Sequence, residues 1–313
     1  MRIRVLLTCV AAAAVGLPAT QAVPRPVPQA VPPPAPTSAV ADFDGDGCSD
    51  LSVWHPDSGG WEVAHCGDPW PPGGGWIYGQ TLHGPAIRAV PGDYDGDRRT
   101  DLAVYDGSSG VWTIKESGRG TVRSEPFGAI GDVVVPADYD GDGATDVAVF
   151  RPSTGTWYVR PSAGSRSYAV PFGVADDTPV PGDYDGDTVA DLAVFRTSSG
   201  TWIVLRSSDG VVTYQGFGLP SDRLVPADYD GDARTDPAVF RPSDGTWWVL
   251  RSGDGGVLAE RWGGHGDEPV PADYDGDGDA DLAVYGQGVW RIHGSTEEIA
   301  LAGVPVPAMY LPQ

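Results

Sequence analysis

Outside residues 1–22, the apolar positions of this chain fall in short runs, and none has the period of a helix. Leu102-Ala103-Val104-Tyr105, Leu192-Ala193-Val194-Phe195 and Leu282-Ala283-Val284-Tyr285 are apolar at every position. A strand with one wet face alternates, so unbroken runs of this length predict strands covered on both faces. The stretch from residue 133 to 173 shows the full unit. Val133–Ala137 is a first strand and Val147–Phe150 a second. Arg151–Gly155 is a turn, Thr156–Val159 a third strand, and Ser167–Gly173 supplies a fourth. Such units recur about every 45 residues, which predicts an all-β propeller of four-stranded antiparallel blades stacked face to face. First strands carry prolines two apart, Pro179 with Pro181 and Pro269 with Pro271. Their missing N–H groups fall on one side, so these strands are expected at a sheet edge. Val304–Ala308 repeats the first-strand pattern at the far end of the chain. Six blades closed by pairing of the two ends is the economical count; seven, with most of one blade missing, is the alternative.

Between first and second strands lies D-[FY]-D-G-D-x-x-x-D, six times over, starting at Asp42, Asp93, Asp138, Asp183, Asp228 and Asp273. Four aspartates stand at positions 1, 3, 5 and 9 of each copy. They are Asp42, Asp44, Asp46 and Asp50; Asp93, Asp95, Asp97 and Asp101; Asp138, Asp140, Asp142 and Asp146; Asp183, Asp185, Asp187 and Asp191; Asp228, Asp230, Asp232 and Asp236; and Asp273, Asp275, Asp277 and Asp281. Carboxylates this close repel unless a cation sits among them, and hard oxygen donors at alternate positions suit Ca²⁺, about six ions in all. Asx turns would explain one aspartate per loop, not four in fixed register. The loop is not an EF-hand, because it closes at position 9 and no helix flanks it.

The loops take 24 of the 43 acidic residues, so the net charge of −23 is mostly loop charge. With no basic patch to release counterions, nucleic acid is not an expected partner. Residues 1–22 read as a secretory signal, with Arg2 and Arg4 before an apolar Val5–Leu17 too short to span a bilayer. Residues 23–37 are a proline-rich disordered spacer, and the repeats fill 38–311. A secreted monomer without membrane insertion is expected. Past the signal the two cysteines, Cys48 and Cys66, favour a disulfide stapling the first blade, with free thiols as the alternative.

The loops, the pairs Phe127-Gly128, Phe172-Gly173 and Phe217-Gly218 (Trp262-Gly263 as a variant) and the Pro-Ala-Asp or Pro-Gly-Asp that follow resemble FG-GAP/VCBS repeats. These build the calcium-binding propeller of integrin α subunits and of some secreted lectins. The resemblance implies Ca²⁺ held by the carboxylates and one backbone carbonyl, at Cys48, Arg99, Ala144, Val189, Arg234 or Asp279. Integrins keep fewer such loops, so integrin function is not implied.

Trp61, Trp112, Trp157, Trp202, Trp247 and Trp290 share one repeat position. Such a ring either packs between blades, the expected role, or offers sugar-stacking platforms. Trp70 and Trp76 flank an extra Gly/Pro-rich stretch and are the candidate ligand contacts. No Ser-centred elbow, HExxH, Walker loop or dinucleotide fingerprint occurs. A non-catalytic binding module for a glycan or cell-surface polymer is expected, with a protein-interaction scaffold as the alternative. A polysaccharide-degrading enzyme, for which His65, His83 and Glu62 are the available acid/base groups, ranks third.

Overall fold

In a computed structural model the chain is all-β, and the described residues are 41–66, 76–80, 83–84, 86–295, 298–300 and 304–305. Residues 1–37, read above as signal and spacer, and Trp70 lie outside them. Among the described residues no helix is long and apolar enough to cross a membrane.

Six antiparallel four-stranded sheets form. Five are built from contiguous chain: Ile87–Ala89, Leu102–Asp106, Val111–Lys115 and Val122–Pro126; Val133–Val134, Val147–Arg151, Thr156–Arg160 and Tyr168–Pro171; Asp177–Pro179, Leu192–Arg196, Thr201–Leu205 and Val212–Gly216; Arg223–Leu224, Ala238–Arg241, Thr246–Leu250 and Val257–Arg261; and Glu268–Pro269, Ala283–Gly286, Val289–Ile292 and Glu298–Ala300. In each of the five a lone bridge ties the closing loop aspartate to the residue just before the loop, as in Gly92 with Asp101. These are propeller blades in strand order one to four. The sixth sheet is composite. Leu51–His55, Gly60–Ala64 and Trp76–Gln80 come from the start of the repeats, and its first strand is Val304–Pro305 from the end. Its register shifts between Gly60 and Trp61, and Val53 with Pro305 and Trp54 with Val304 pair across the junction. The regular blade therefore occurs five times, not the six or seven predicted. The sixth sheet departs from the regular blade in taking its first strand from a distant segment and in the register shift between its third and fourth strands.

Burial explains the strand patterns. Leu102-Ala103-Val104-Tyr105 is buried at all four positions, and so are its counterparts Val147–Phe150 and Leu192–Phe195. These second strands lie between neighbouring blades, which covers both faces. Pro179 and Pro269 sit in edge strands, where no ladder N–H is required. At the opposite edge Val212–Gly216 is exposed throughout.

The six repeated tryptophans are each at most 1% exposed and form the centres of the inter-blade clusters. Trp112, Trp157, Trp202 and Trp247 donate their indole N–H to the carbonyls of Phe127, Phe172, Phe217 and Trp262 at 2.8–3.0 Å. The Phe-Gly pair thus supplies the acceptor a buried indole needs. The glycine follows because the next blade leaves it no room. A Cβ on Gly218 would stand 2.9 Å from Val239 Cγ1, and one on Gly263 2.8 Å from Val284 Cγ1.

Candidate metal loops

Each loop is organised by its first aspartate. Oδ1 of Asp42, Asp93, Asp138, Asp183, Asp228 and Asp273 accepts the N–H of the position-4 glycine at 2.5–2.8 Å. Oδ2 accepts the N–H of position 6 at 2.7–3.0 Å. Wrapping the backbone around one carboxylate bends positions 4 and 6 into the left-handed region. Position 4 is always glycine, because the position-7 side chain of the next loop packs against it. A Cβ on Gly141 would meet Val189 at 2.9 Å, and one on Gly186 would meet Arg234 at 2.8 Å. Position 6 tolerates Arg98, Thr188 and Ala233 at φ of 63–68°. Each costs about 1–2 kcal/mol, offset by the surrounding hydrogen bonds.

The position-9 aspartate works as a buried clip. Oδ2 of Asp50, Asp101, Asp146, Asp191, Asp236 and Asp281 accepts the N–H of the position-2 aromatic at 2.7–2.9 Å. Oδ1 of Asp101, Asp146, Asp191 and Asp236 reaches the end of the third strand, where the N–H of Ser117, Ser162, Ser207 or Ser252 donates at 2.6–2.7 Å. The same four serines turn their hydroxyls onto the position-5 aspartates, for example Ser162 onto Asp142 at 2.7 Å. These serines were missed in the sequence, although each follows its closing aspartate by 16 residues. That spacing was their signal.

Burial dominates the electrostatics. It pushes the carboxyls of Asp50, Asp101, Asp191, Asp236 and Asp281 up to about 6 and that of Asp146 up to about 7, with the backbone donors pulling the other way. Asp95 is raised by burial and by the neighbouring charges of Asp97 and Asp93. In four loops the position-3 oxygen Oδ1, of Asp95, Asp140, Asp185 and Asp230, is buried with no hydrogen-bond partner. Leaving a buried carboxylate oxygen unsatisfied is costly. Ligand oxygens of Asp93, Asp95 and Asp101, and likewise of Asp138, Asp140 and Asp146, lie within 4.8 Å of one another. An all-oxygen set with an unsatisfied inward-facing member fits a hard divalent cation such as Ca²⁺.

The loops are also chained together. The position-8 N–H of each donates to the position-1 carbonyl of the loop before it: Thr100 to Asp42, Thr145 to Asp93, Ala190 to Asp138, Thr235 to Asp183 and Ala280 to Asp228, at 2.6–2.7 Å. Ser49, in the first loop, donates to Asp273 in the last at 2.6 Å. The first loop differs in its cover. Cys48 and Cys66 form a disulfide, with Cα atoms 6.2 Å apart, and His65 Nδ1 stands 3.1 Å from Asp50 and 3.4 Å from Asp44.

The other predicted groups disperse. Glu62 faces His55 at 3.5 Å, His65 belongs to the first loop, and His83 is exposed, so these three do not assemble as an acid/base set. The repeated tryptophans are core and cannot be stacking platforms. Trp76 opens the strand Trp76–Gln80 and does not sit in a loop. A site that the sequence did not indicate is a cleft of about 160 Å³ lined by Phe217, Gly218, Leu219, Val239, Arg241 and Trp248. Arg241 lies 5.4 Å over the Trp248 ring and is held by both oxygens of Asp222 at 2.8–2.9 Å. The Trp248 indole nitrogen is buried and without a partner.

Residues 138–194 match the FG-GAP-like repeat family. No curated protein matches the chain. Among solved structures, an Agrocybe aegerita lectin described as recognising non-reducing terminal N-acetylglucosamine is 18% identical, with TM-score 0.54, covering 86% of this chain and 79% of the lectin. Virginiamycin B lyase from Staphylococcus aureus is 10% identical, with TM-score 0.49, covering 88% and 87%. At these identities the likeness to the lectin is one of fold.

Proposed function

We propose that this β-propeller, carrying an FG-GAP-like repeat, is a secreted, calcium-stabilised binding module whose ligand is a glycan or cell-surface polymer. It performs no chemistry on that ligand. The observation that carries the metal assignment is the partnerless, buried position-3 oxygen recurring in four loops. Aspartates at positions 1, 3, 5 and 9 and the position-7 carbonyl would hold each ion. The ion supplies charge neutralisation and ties first strand to second. The composite sheet joins the two ends of the repeat region, and the Ser49–Asp273 link continues the chain of loops across that junction.

Two observations favour a glycan. The Trp248 cleft combines a partly exposed aromatic side chain with a guanidinium fixed by Asp222, a mixture that pyranose rings and their hydroxyls engage. The fold is also shared with a lectin. The mature protein on a glycan array in millimolar calcium should bind a restricted set of sugars. Binding should vanish in EDTA and weaken at least tenfold in Trp248→Ala. No bound glycan, together with recovery of a protein from secreted material, would favour the scaffold alternative.

A further inference from the structure

We propose that the first loop is a borderline-metal site, suited to zinc, in which His65 Nδ1 joins the carboxylates of Asp44 and Asp50. The ring nitrogen lies 3.1 Å from Asp50 Oδ2 and 3.4 Å from Asp44 Oδ2. The shorter contact is an ordinary hydrogen bond to Asp50, and the same nitrogen stands within ion-pair reach of Asp44, so one ring atom faces both carboxylates. Ligand atoms around a tetrahedral ion with bonds of about 2.0–2.1 Å are about 3.3 Å apart, which is this spacing. Imidazole nitrogen selects zinc and its neighbours in the first transition row over calcium, which prefers oxygen throughout.

The surroundings are built for it. The Asp50 side chain is fully buried, and that of His65 is 10% exposed. Phe43 N–H on Oδ2 and Cys66 N–H on Oδ1 orient the Asp50 carboxylate, as outer partners orient metal ligands. The Cys48–Cys66 disulfide pins position 7 of the loop to the residue following His65. At the matching position, 15 residues after the closing aspartate, the next four loops carry Glu116, Pro161, Arg206 and Arg251, none of them an imidazole. Asp44 also groups with Asp42 and Asp46. A metal on His65 therefore draws on the loop's own carboxylates and replaces a calcium; it does not add an ion.

Cobalt titration of the mature protein in millimolar calcium tests this. We expect one equivalent bound, with the visible absorption of a low-coordinate nitrogen/oxygen site, displaced by one equivalent of zinc. His65→Gln should weaken that binding at least tenfold and leave calcium-dependent melting intact. Asp95→Asn, in the second loop, should leave the cobalt site untouched. In case His65→Gln fails to fold, the wild-type cobalt form should show a hyperfine-shifted, exchangeable imidazole proton by NMR. No cobalt binding, cobalt displaced by millimolar calcium, or absorption and NMR signals free of imidazole would each overturn the assignment; the first is the result if His65 only hydrogen-bonds Asp50. The site stands on first-loop geometry alone, so failure of the calcium assignment elsewhere, read as unchanged melting in EDTA, would be separately visible.

Discussion

The four aspartates of a loop look equivalent in sequence but do different work. Position 1 shapes the backbone, position 9 clips the loop to the third strand, and position 3 keeps an oxygen free. Their burial sets a pH dependence. In the folded chain Asp50, Asp101, Asp191, Asp236 and Asp281 hold their protons up to about 6, and Asp146 up to about 7, well above the unfolded carboxyl near 3.9. A raised folded value means the folded state binds protons more tightly. The stability this confers is complete below pH ~4 and is lost as pH rises through 6 to 7. In EDTA the melting temperature should therefore fall from pH 4 to 7, by differential scanning fluorimetry. Saturating calcium should raise it and reverse the slope, because protons then compete with the ion. At tenfold excess over its dissociation constant each site adds about 1.4 kcal/mol. A metal-free protein that grows more stable over that range, or melting indifferent to chelation, would remove the metal from the loops. The loop aspartates were legible because the same four positions recur in one register six times. The serines were not, because a serine on the surface has many other reasons to be there.

At the level of strands, the third strand is anchored by its tryptophan. Trp157 is fully buried, packs 5.4 Å from Phe150 and donates to the Phe172 carbonyl at 2.8 Å. Trp157→Ala should cost about 3–5 kcal/mol in urea unfolding, from the cavity and the orphaned carbonyl. Trp248→Ala, at a half-buried position, should cost much less. Equal, small losses would mean that the repeated tryptophans are not the inter-blade core. Strand existence and order were readable because the apolar runs, Pro-bearing first strands and Phe-Gly pairs each have a local cause. The sequence favoured packing for the repeated tryptophans, as burial bears out, but left sugar stacking open, since an aromatic side chain suits both until its neighbours are known. The Trp248 cleft illustrates this, as its lining comes from segments some 20–30 residues apart.

For the whole molecule, closure is the decisive feature. Val304–Pro305 covers the open side of Leu51–His55, and Ser49 reaches Asp273. A chain ended at Ala300 would expose the N–H and C=O groups of Val53 and Trp54 as a free edge. It should melt several degrees lower and associate on size exclusion with light scattering; an unchanged monomer with unchanged melting would mean that the composite sheet is not a closing blade. The residue pattern alone determined the repeating unit, its strand order and the register of its aspartates, and favoured the Cys48–Cys66 pair, because each rests on interactions within one unit of about 45 residues. Only tertiary structure decided that the terminal sheet departs from the five regular blades, that the repeated tryptophans are core, and that His65 turns into the first loop. The first two outcomes depend on contacts between units, which a sequence period leaves unspecified, and the third on how the irregular first unit carries His65 back over Asp44 and Asp50.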